Sequence, residues 1–295
     1  MIVFVLTPGH SYTHRSMVGI DPALKVEFLY YTDMAKLRSM PRATYIFTDM
    51  DRLPTEVLRV ACLLYRQLRD QGIRVLNDPA RVLSRYGLLR RLHEAGINGF
   101  NAYRAEEGTP DCRWPVFLRT DGDHIPPMPE LYRDRAALEQ GIANAMASGI
   151  PLSRLLVVEF ASEPTQAGLY QKFSTFRVGP SSFAHTCVAD TDWIAKDGRV
   201  GLASPEMFDE ELRIVRDNPY GADVARAFDI AGVDYGRVDF GVMGGKVQIY
   251  EINTNLDMKL DMEHPSPVRT KTLRLFRENY LSAMRAIDTP AALPG

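Results

Sequence analysis

The sequence predicts an α/β protein made of two or three closely packed subdomains, and three observations predict it. The chain has 295 residues, too many for one minimal core and too few for three full-sized independent domains. Short apolar runs alternate with amphipathic stretches along residues 1–76 and again further on. Hydrophobic residues at 45% and charged residues at 24% are ordinary globular values.

Ile2 to Leu6, Val26 to Tyr30 and Tyr45 to Thr48 read as strands, while Pro54 to Gln71 carries apolar residues at helical spacing and stops at Gly72. A strand over Ile73 to Leu76 runs into Asn77-Asp78-Pro79, a turn signal that closes a first α/β layer at residue 76. Val82, Leu83, Leu88, Leu89 and Leu92 predict a helix over Ala80 to Ala95, with Gly96 placed for a left-handed cap. Pro115 to Arg119 is a short strand entering the polar loop Thr120 to Pro129, and Asp134 to Ala147 a helix stopped by Gly149 and Pro151. Leu155 to Phe160 is an apolar strand broken only by Glu159, and Tyr170 to Gly179 alternates polar with apolar residues. Asn218-Pro219 reads as a helix start, since Asn caps free amides and Pro fits the first turn, with Gly232 as the stop after Ala231. Strands Tyr235 to Val242 and Lys246 to Asn253 follow, and Ser266-Pro267 opens a last helix reaching about Ile287. Residues 290–295 form a loose tail.

Composition narrows the function classes. With 35 basic against 37 acidic residues the formal charge is −2, which gives no electrostatic case for nucleic acid. The opening apolar run stops at Thr7-Pro8-Gly9 and suits a buried strand better than a secretion signal; no later stretch approaches the roughly 20 apolar residues of a membrane helix. Cys62, Cys112 and Cys187 are odd in number and far apart, which suggests neither disulfides nor a zinc knuckle and makes the cytoplasm the default location.

The most informative segment is the hairpin Tyr235 to Asn253. Side chains two apart on a strand share a face, so Arg237 goes with Asp239, and Glu251 with Asn253. Whether the two pairs meet depends on the turn. A two-residue Gly244-Gly245 loop puts Asp239 opposite Tyr250 and sends the carboxylates to opposite faces. A three-residue loop over Met243, Gly244 and Gly245 pairs Asp239 with Ile249 and Arg237 with Glu251, gathering all four polar groups; an equivalent bulge does the same. The gathered set reads either as a cross-strand Arg237 to Glu251 ion pair or as hard oxygen ligands, Asp239, Glu251 and Asn253, of the kind magnesium prefers.

Tyr235-Gly236-Arg237-Val238-Asp239-Phe240 followed by Tyr250-Glu251-Ile252-Asn253-Thr254-Asn255 resembles the last motif of the ATP-grasp superfamily. Upstream, Asn77-Asp78-Pro79, a helix containing Arg85, Ala95-Gly96-Ile97, the strand ending in Arg119, Val157-Val158-Glu159-Phe160 and Tyr170 to Gly179 are similar to its other landmarks, in the same order. They resemble most the ribosomal-protein glutamate ligase and the glutathione synthetases. The resemblance covers about residues 77 to 256 and implies a Rossmann-like α/β domain over 1–76, a first grasp lobe over 77–155 and a second over 156–295. The family's two nucleotide-binding lysines are arginines here, Arg85 and Arg119, which keeps the charge and changes its shape. The loop after Arg119, with one glycine before its proline pair, stands where the family has a more glycine-rich flap.

The resemblance further implies ATP and magnesium as cofactors. Arg85, Arg119 and Lys172 would meet phosphates, Glu159 and the Phe160 backbone would meet the adenine, and Asp239, Glu251 and Asn253 would hold the metal. Arg237 would be the catalytic cation for the transferred phosphoryl group or a tetrahedral intermediate. Asn255, Lys196 and Arg177 are candidates for the acceptor side; His124 and His185 are weaker ones. The implied activity is a ligase joining a small-molecule or peptide carboxylate to an amine or thiol through an acyl phosphate. A kinase acting on a hydroxyl and a nucleotide-binding protein without turnover are the alternatives, although Lys196, Arg199 and Arg213 are too scattered for a phosphorylated-substrate pocket. A homodimer is compatible with this reading.

Overall fold

The computed structural model describes residues 1–37, 39–122, 126–196, 201–256, 260 and 263–288. His124, Arg199 and the tail 290–295 lie outside the described residues.

β1 (Ile2–Leu6) is apolar at every position because both of its faces are covered. It pairs in parallel with β2 (Val26–Tyr30) and β3 (Thr44–Phe47), and a two-residue β4 (Val75–Leu76), shorter than expected, extends the sheet in the order β2-β1-β3-β4. Val3, Val5, Tyr45 and Phe47 pack with Ala61 and Leu68 of α1 (Thr55–Asp70).

The helix expected from Ala80 begins later, as α2 (Arg85–Glu94). Pro79–Arg81 make only a 3-10 turn, and Ser84 caps the true helix by accepting the Gly87 amide. Gly96 ends it at a φ of +70. β5 (Ala102–Arg104), absent from the expected strands, β6 (Val116–Thr120) and β7 (Leu155–Glu159) form an antiparallel sheet in the order β5-β7-β6, on which α3 (Arg135–Ala147) packs. β7 pairs with β6 along its whole length, so the expected lobe boundary at 155/156 is corrected: it would cut a strand, and the change of sheet falls beyond Glu159.

β8 (Tyr170–Val178), β9 (Ser181–Ala184), β10 (Val188–Asp190), β11 (Tyr235–Met243) and β12 (Lys246–Asn253) form a five-stranded antiparallel sheet backed by α4 (Pro205–Asp217) and α5 (Gly221–Ala231). β9, β10 and α4 were not anticipated. Asn218 closes α4 in a left-handed conformation (φ +44) instead of opening α5, since its amide bonds back to the Ile214 carbonyl. Leu88 and Leu92 of α2 pack with Val224, Phe228, Phe240 and Ile249, which fixes α2 to this second sheet although it precedes the first lobe's strands. Arg85 is thereby held over the hairpin.

α6 (Pro267–Ile287) joins the two ends of the chain. Its Phe276, Tyr280 and Met284 fill one core with Ile2, Phe4 and Leu6 of the parallel sheet and with Phe176, Val178 and Tyr235 of the antiparallel one. Asn77, left-handed at φ +63, is the other joint. Its side-chain amide donates to the carbonyls of Phe47 (2.9 Å) and Tyr235 (2.8 Å) and accepts from the amides of Asp234 (2.8 Å) and Tyr235 (2.9 Å). Among the described residues no helix is long and apolar enough to cross a membrane.

His14 lies at this same joint, with Tyr235 and Thr13 as partners. Burial pushes its pKa from 6.5 down to about 3. Below pH 6.5 the unfolded chain takes up a proton that the folded one refuses until about pH 3, so stability present at neutral pH is lost as pH falls. From pH 7 to pH 5 the expected loss from His14 is about 2 kcal/mol. Urea denaturation at both pH values should show that loss shrinking by about this amount in His14→Gln.

Candidate active site

Gly244 and Gly245, at φ +56 and +76, form a two-residue turn, with Met243 paired to Lys246. A plain ladder from this turn would place Asp239 opposite Tyr250. Instead the register shifts between Asp239 and Phe240: Phe240 faces Ile249, Asp239 faces Glu251 and Arg237 faces Asn253, leaving Tyr250 as the extra residue of a β-bulge. The expected three-residue loop, with its Arg237 to Glu251 and Asp239 to Ile249 pairs, is therefore corrected. The bulge restores the shared face. Its cause is local packing, because the Tyr250 ring lies against Gly241, where a Cβ would come within 2.2 Å of the Tyr250 hydroxyl, and that hydroxyl donates to the Ala161 carbonyl at 3.0 Å.

Cations reach this face from three further elements. Arg237 grips Asp239 through Nε (2.8 Å) and Nη2 (3.3 Å), and Lys172 on β8 stands 3.7 Å from the same carboxylate. Arg85, at the start of α2, and Arg119, on β6, place their Nη2 atoms 3.4 and 3.3 Å from Glu251 Oε2, while Asn253 Nδ2 donates to Glu251 Oε1 at 3.3 Å. Burial works to raise the Glu251 pKa. The guanidiniums of Arg119 and Arg85, the Asn253 hydrogen bond and the Lys172 ammonium outweigh it and hold the carboxyl at about 2.

Four cations thus face two carboxylates, an excess of two positive charges in a partly closed cleft. Such a cleft favours a polyanion. The donor set of two carboxylates and one amide oxygen fits a hard cation that keeps water and phosphate as its other ligands. Among the described residues no group of three or more His, Cys, Asp or Glu forms a self-sufficient metal cage.

Beside the charged face the cleft turns apolar. Trp193 sits against Phe117 (centroids 4.9 Å apart) and Phe160 (5.5 Å), its indole nitrogen donating to the Pro129 carbonyl, and Tyr250 and Lys196 complete the walls. Glu159 lines the cleft, but its carboxylate is occupied elsewhere, accepting from the Asn101 amide, the Arg113 amide and the Tyr103 hydroxyl. The Phe160 amide is committed to the Pro115 carbonyl (2.9 Å) and its carbonyl is met by Arg113 Nη2 at 3.5 Å, so Phe160 lines the cleft together with Ala161 and Ser162 beyond it.

Arg177 is corrected as a substrate residue. It alternates to the other face of β8, where it pairs with Asp229 at 2.6 Å. His185 is partly buried beside Ser174 and Phe276, its pKa driven to about 3 by burial and then by Arg237 and Arg269. Asn255 accepts from the Thr13 hydroxyl at 2.8 Å, which ties the metal-motif segment to the N-terminal layer. Sequence reasoning missed Trp193, Tyr250 and a cluster at the ends of β1 and β3. That cluster comprises His10, Asp49 and Arg52, and the Asp49 amide donates to Thr254 Oγ1 at 3.2 Å. Their position directly after two predicted parallel strands was the available signal.

Comparison with protein-family models gives no match, and comparison with curated proteins gives none. Solved structures do match. A D-alanine–D-alanine ligase from Bacillus anthracis complexed with ATP aligns over 97% of this chain and 99% of its own, at TM-score 0.52 and 12% identity. A second structure of a D-alanine–D-alanine ligase from the same organism gives 0.52 and 13% with the same coverage. A RimK-domain ATP-grasp protein from Sphaerobacter thermophilus gives 0.49 and 15%, over 97% of this chain and 98% of its own. The fold of this chain is the ATP-grasp fold. The parallel sheet comes first in the chain, and strands of the two antiparallel sheets, β6 and β7 on one side and β8, β11 and β12 on the other, line the charged cleft.

Proposed function

We propose that the chain is an ATP- and magnesium-dependent ligase that joins a carboxylate to an amine through an acyl phosphate. The observation that carries this reading is the convergence of Arg85, Arg119, Lys172 and Arg237 on Asp239 and Glu251, beside a pocket walled by Phe160 and Trp193. The aromatic walls suit a purine, with the backbone beyond Phe160 meeting the base edge. Arg85, Arg119 and Lys172 would bind and orient the triphosphate.

Asp239, Glu251 and Asn253 would hold magnesium, which would neutralise charge on the bound phosphates. Arg237 would stabilise the negative charge that develops as the substrate carboxylate takes the γ-phosphoryl group. The lobes keep water from the acyl phosphate until the amine displaces phosphate. Positioning and charge do most of this work, so no protein nucleophile is needed.

The test is a screen of purified protein with ATP, magnesium and the twenty amino acids and short dicarboxylic acids as the acid, with hydroxylamine as a general acceptor. ADP, free phosphate and hydroxamate are measured separately. Hydroxamate with equal ADP and phosphate is the expected result. A phosphorylated product without free phosphate would replace the ligase by a kinase.

A further inference from the structure

We propose that His10 is the general base that takes a proton from the amine substrate, with Asp49 as its positioning residue; this rests on the ligase reading above. In the order β2-β1-β3-β4 the chain leaves β1 toward β2 on one side and leaves β3 toward β4 on the other. A crevice lined by Met50, Asp51, Arg85, Glu251, Asn253 and Thr254 opens beyond the carboxyl end of β3, and parallel sheets take ligands beyond the carboxyl ends of their strands. His10 follows β1, and Asp49 follows β3.

Asp49 is wholly buried and left-handed (φ 60, ψ 23), a strained backbone state that concentrates at functional sites. Its Oδ2 lies 2.5 Å from His10 Nδ1. A buried carboxylate with a cation at hand accepts, so Nδ1 carries the imidazole proton and Nε2 keeps the basic lone pair. Arg52 lies against the same ring, its Nη1 2.6 Å from Nε2 and 3.1 Å from Nδ1, while its Nε stands 3.2 Å from Asp49 Oδ1. The His10 side chain remains 25% exposed and reachable. The dyad is bound to the metal-motif segment through the Asp49 amide on Thr254, the residue after Asn253, and through Thr13 on Asn255.

An amine arrives as an ammonium ion, which has no lone pair to attack with. The arriving ammonium displaces Arg52 Nη1 and gives one proton to Nε2. The freed lone pair forms the C–N bond at the acyl carbon, the C–O bond to phosphate breaks, and the second nitrogen proton leaves with inorganic phosphate. Hydroxylamine is already unprotonated at neutral pH and needs no base.

The experiment compares two acceptors in one enzyme. With the acid that the screen identifies, His10→Gln should lose about 100-fold in amide formation with amino-acid acceptors while hydroxamate formation stays within about twofold of wild type. Equal loss with both acceptors, or no loss with either, overturns the proposal; absence of hydroxamate from the wild-type enzyme overturns the ligase reading itself. Asp49→Asn, which keeps the shape and can donate to Nδ1, should move the His10 proton to Nε2 and reproduce the amine-selective loss. Nitrogen-15 NMR of the whole protein reads that tautomer without any substrate, and an Nε2–H tautomer in the wild type would also overturn the proposal.

Discussion

Glu251→Gln should abolish magnesium-dependent ATP turnover, by about 1,000-fold or more, and leave the fold in place. The substitution keeps the shape and the contact with Asn253 but removes the one charge that Arg85 and Arg119 share. The oxygen set then has a single carboxylate, too little for a divalent ion that relies on charge. Because the neighbouring cations hold Glu251 at about 2, the wild-type group is ionised at every pH where the protein would be assayed. The ratio of variant to wild type should therefore be flat from pH 6 to pH 9. Stability should fall while the fold persists, since the cations that hold Glu251 at about 2 stabilise the folded chain through it, and Arg85 and Arg119, 9% and 10% exposed, lose the charge they share. ADP release and thermal melting, measured together, check both halves, and undiminished turnover would remove the metal assignment.

Asn77→Ala should be the most damaging single change to stability, at about 4 to 8 kcal/mol. Four backbone groups, on Phe47, Tyr235 and the half-buried Asp234, lose their partner together. Alanine also tolerates the left-handed backbone less well than asparagine. Native domains hold only about 5 to 15 kcal/mol in total, so soluble yield should fall sharply. Asn77→Asp keeps the two accepting bonds and should lose less. Denaturant titration orders the three proteins, and a loss below about 2 kcal/mol for Asn77→Ala would show that the joint is held by the apolar core alone.

Asn77 illustrates what the sequence allowed. Its position in Asn77-Asp78-Pro79 marked a turn, and the resemblance marked a landmark, yet the four bonds depend on Phe47 and Tyr235 arriving from opposite sides of the chain. The helices and strands with strong period or clear caps, such as Thr55–Asp70 and Pro267–Ile287, were legible to within a residue or so. Pro205–Asp217 has a proline start and a strong amphipathic pattern, but Asn218-Pro219 was read as a beginning when it follows an end. The short strands Ala102–Arg104, Ser181–Ala184 and Val188–Asp190 have too few residues to show a period. The charged half of the cleft was legible because Arg85, Arg119, Lys172, Arg237, Asp239, Glu251 and Asn253 carry a resemblance in order. Trp193 and Asp49 sit outside regular elements and His10 and Arg52 in 3-10 turns, where period is weak, and Arg177 misled because it shares β8 with Lys172 but not the face that Lys172 presents to the cleft.

The bulge at Tyr250 bears on how such sites should be sought. Asp239 stands four residues before the end of its strand at Met243, and Glu251 five after the start of the next at Lys246; the bulge absorbs the odd one. A relative lacking the residue at 250 would bring the same two carboxylates together on an unbroken ladder, and another could do so with a longer turn. A search pattern with a fixed gap between aspartate and glutamate is therefore the wrong instrument. The constraint that chemistry imposes on this hairpin is one of parity, and length is free to drift around it.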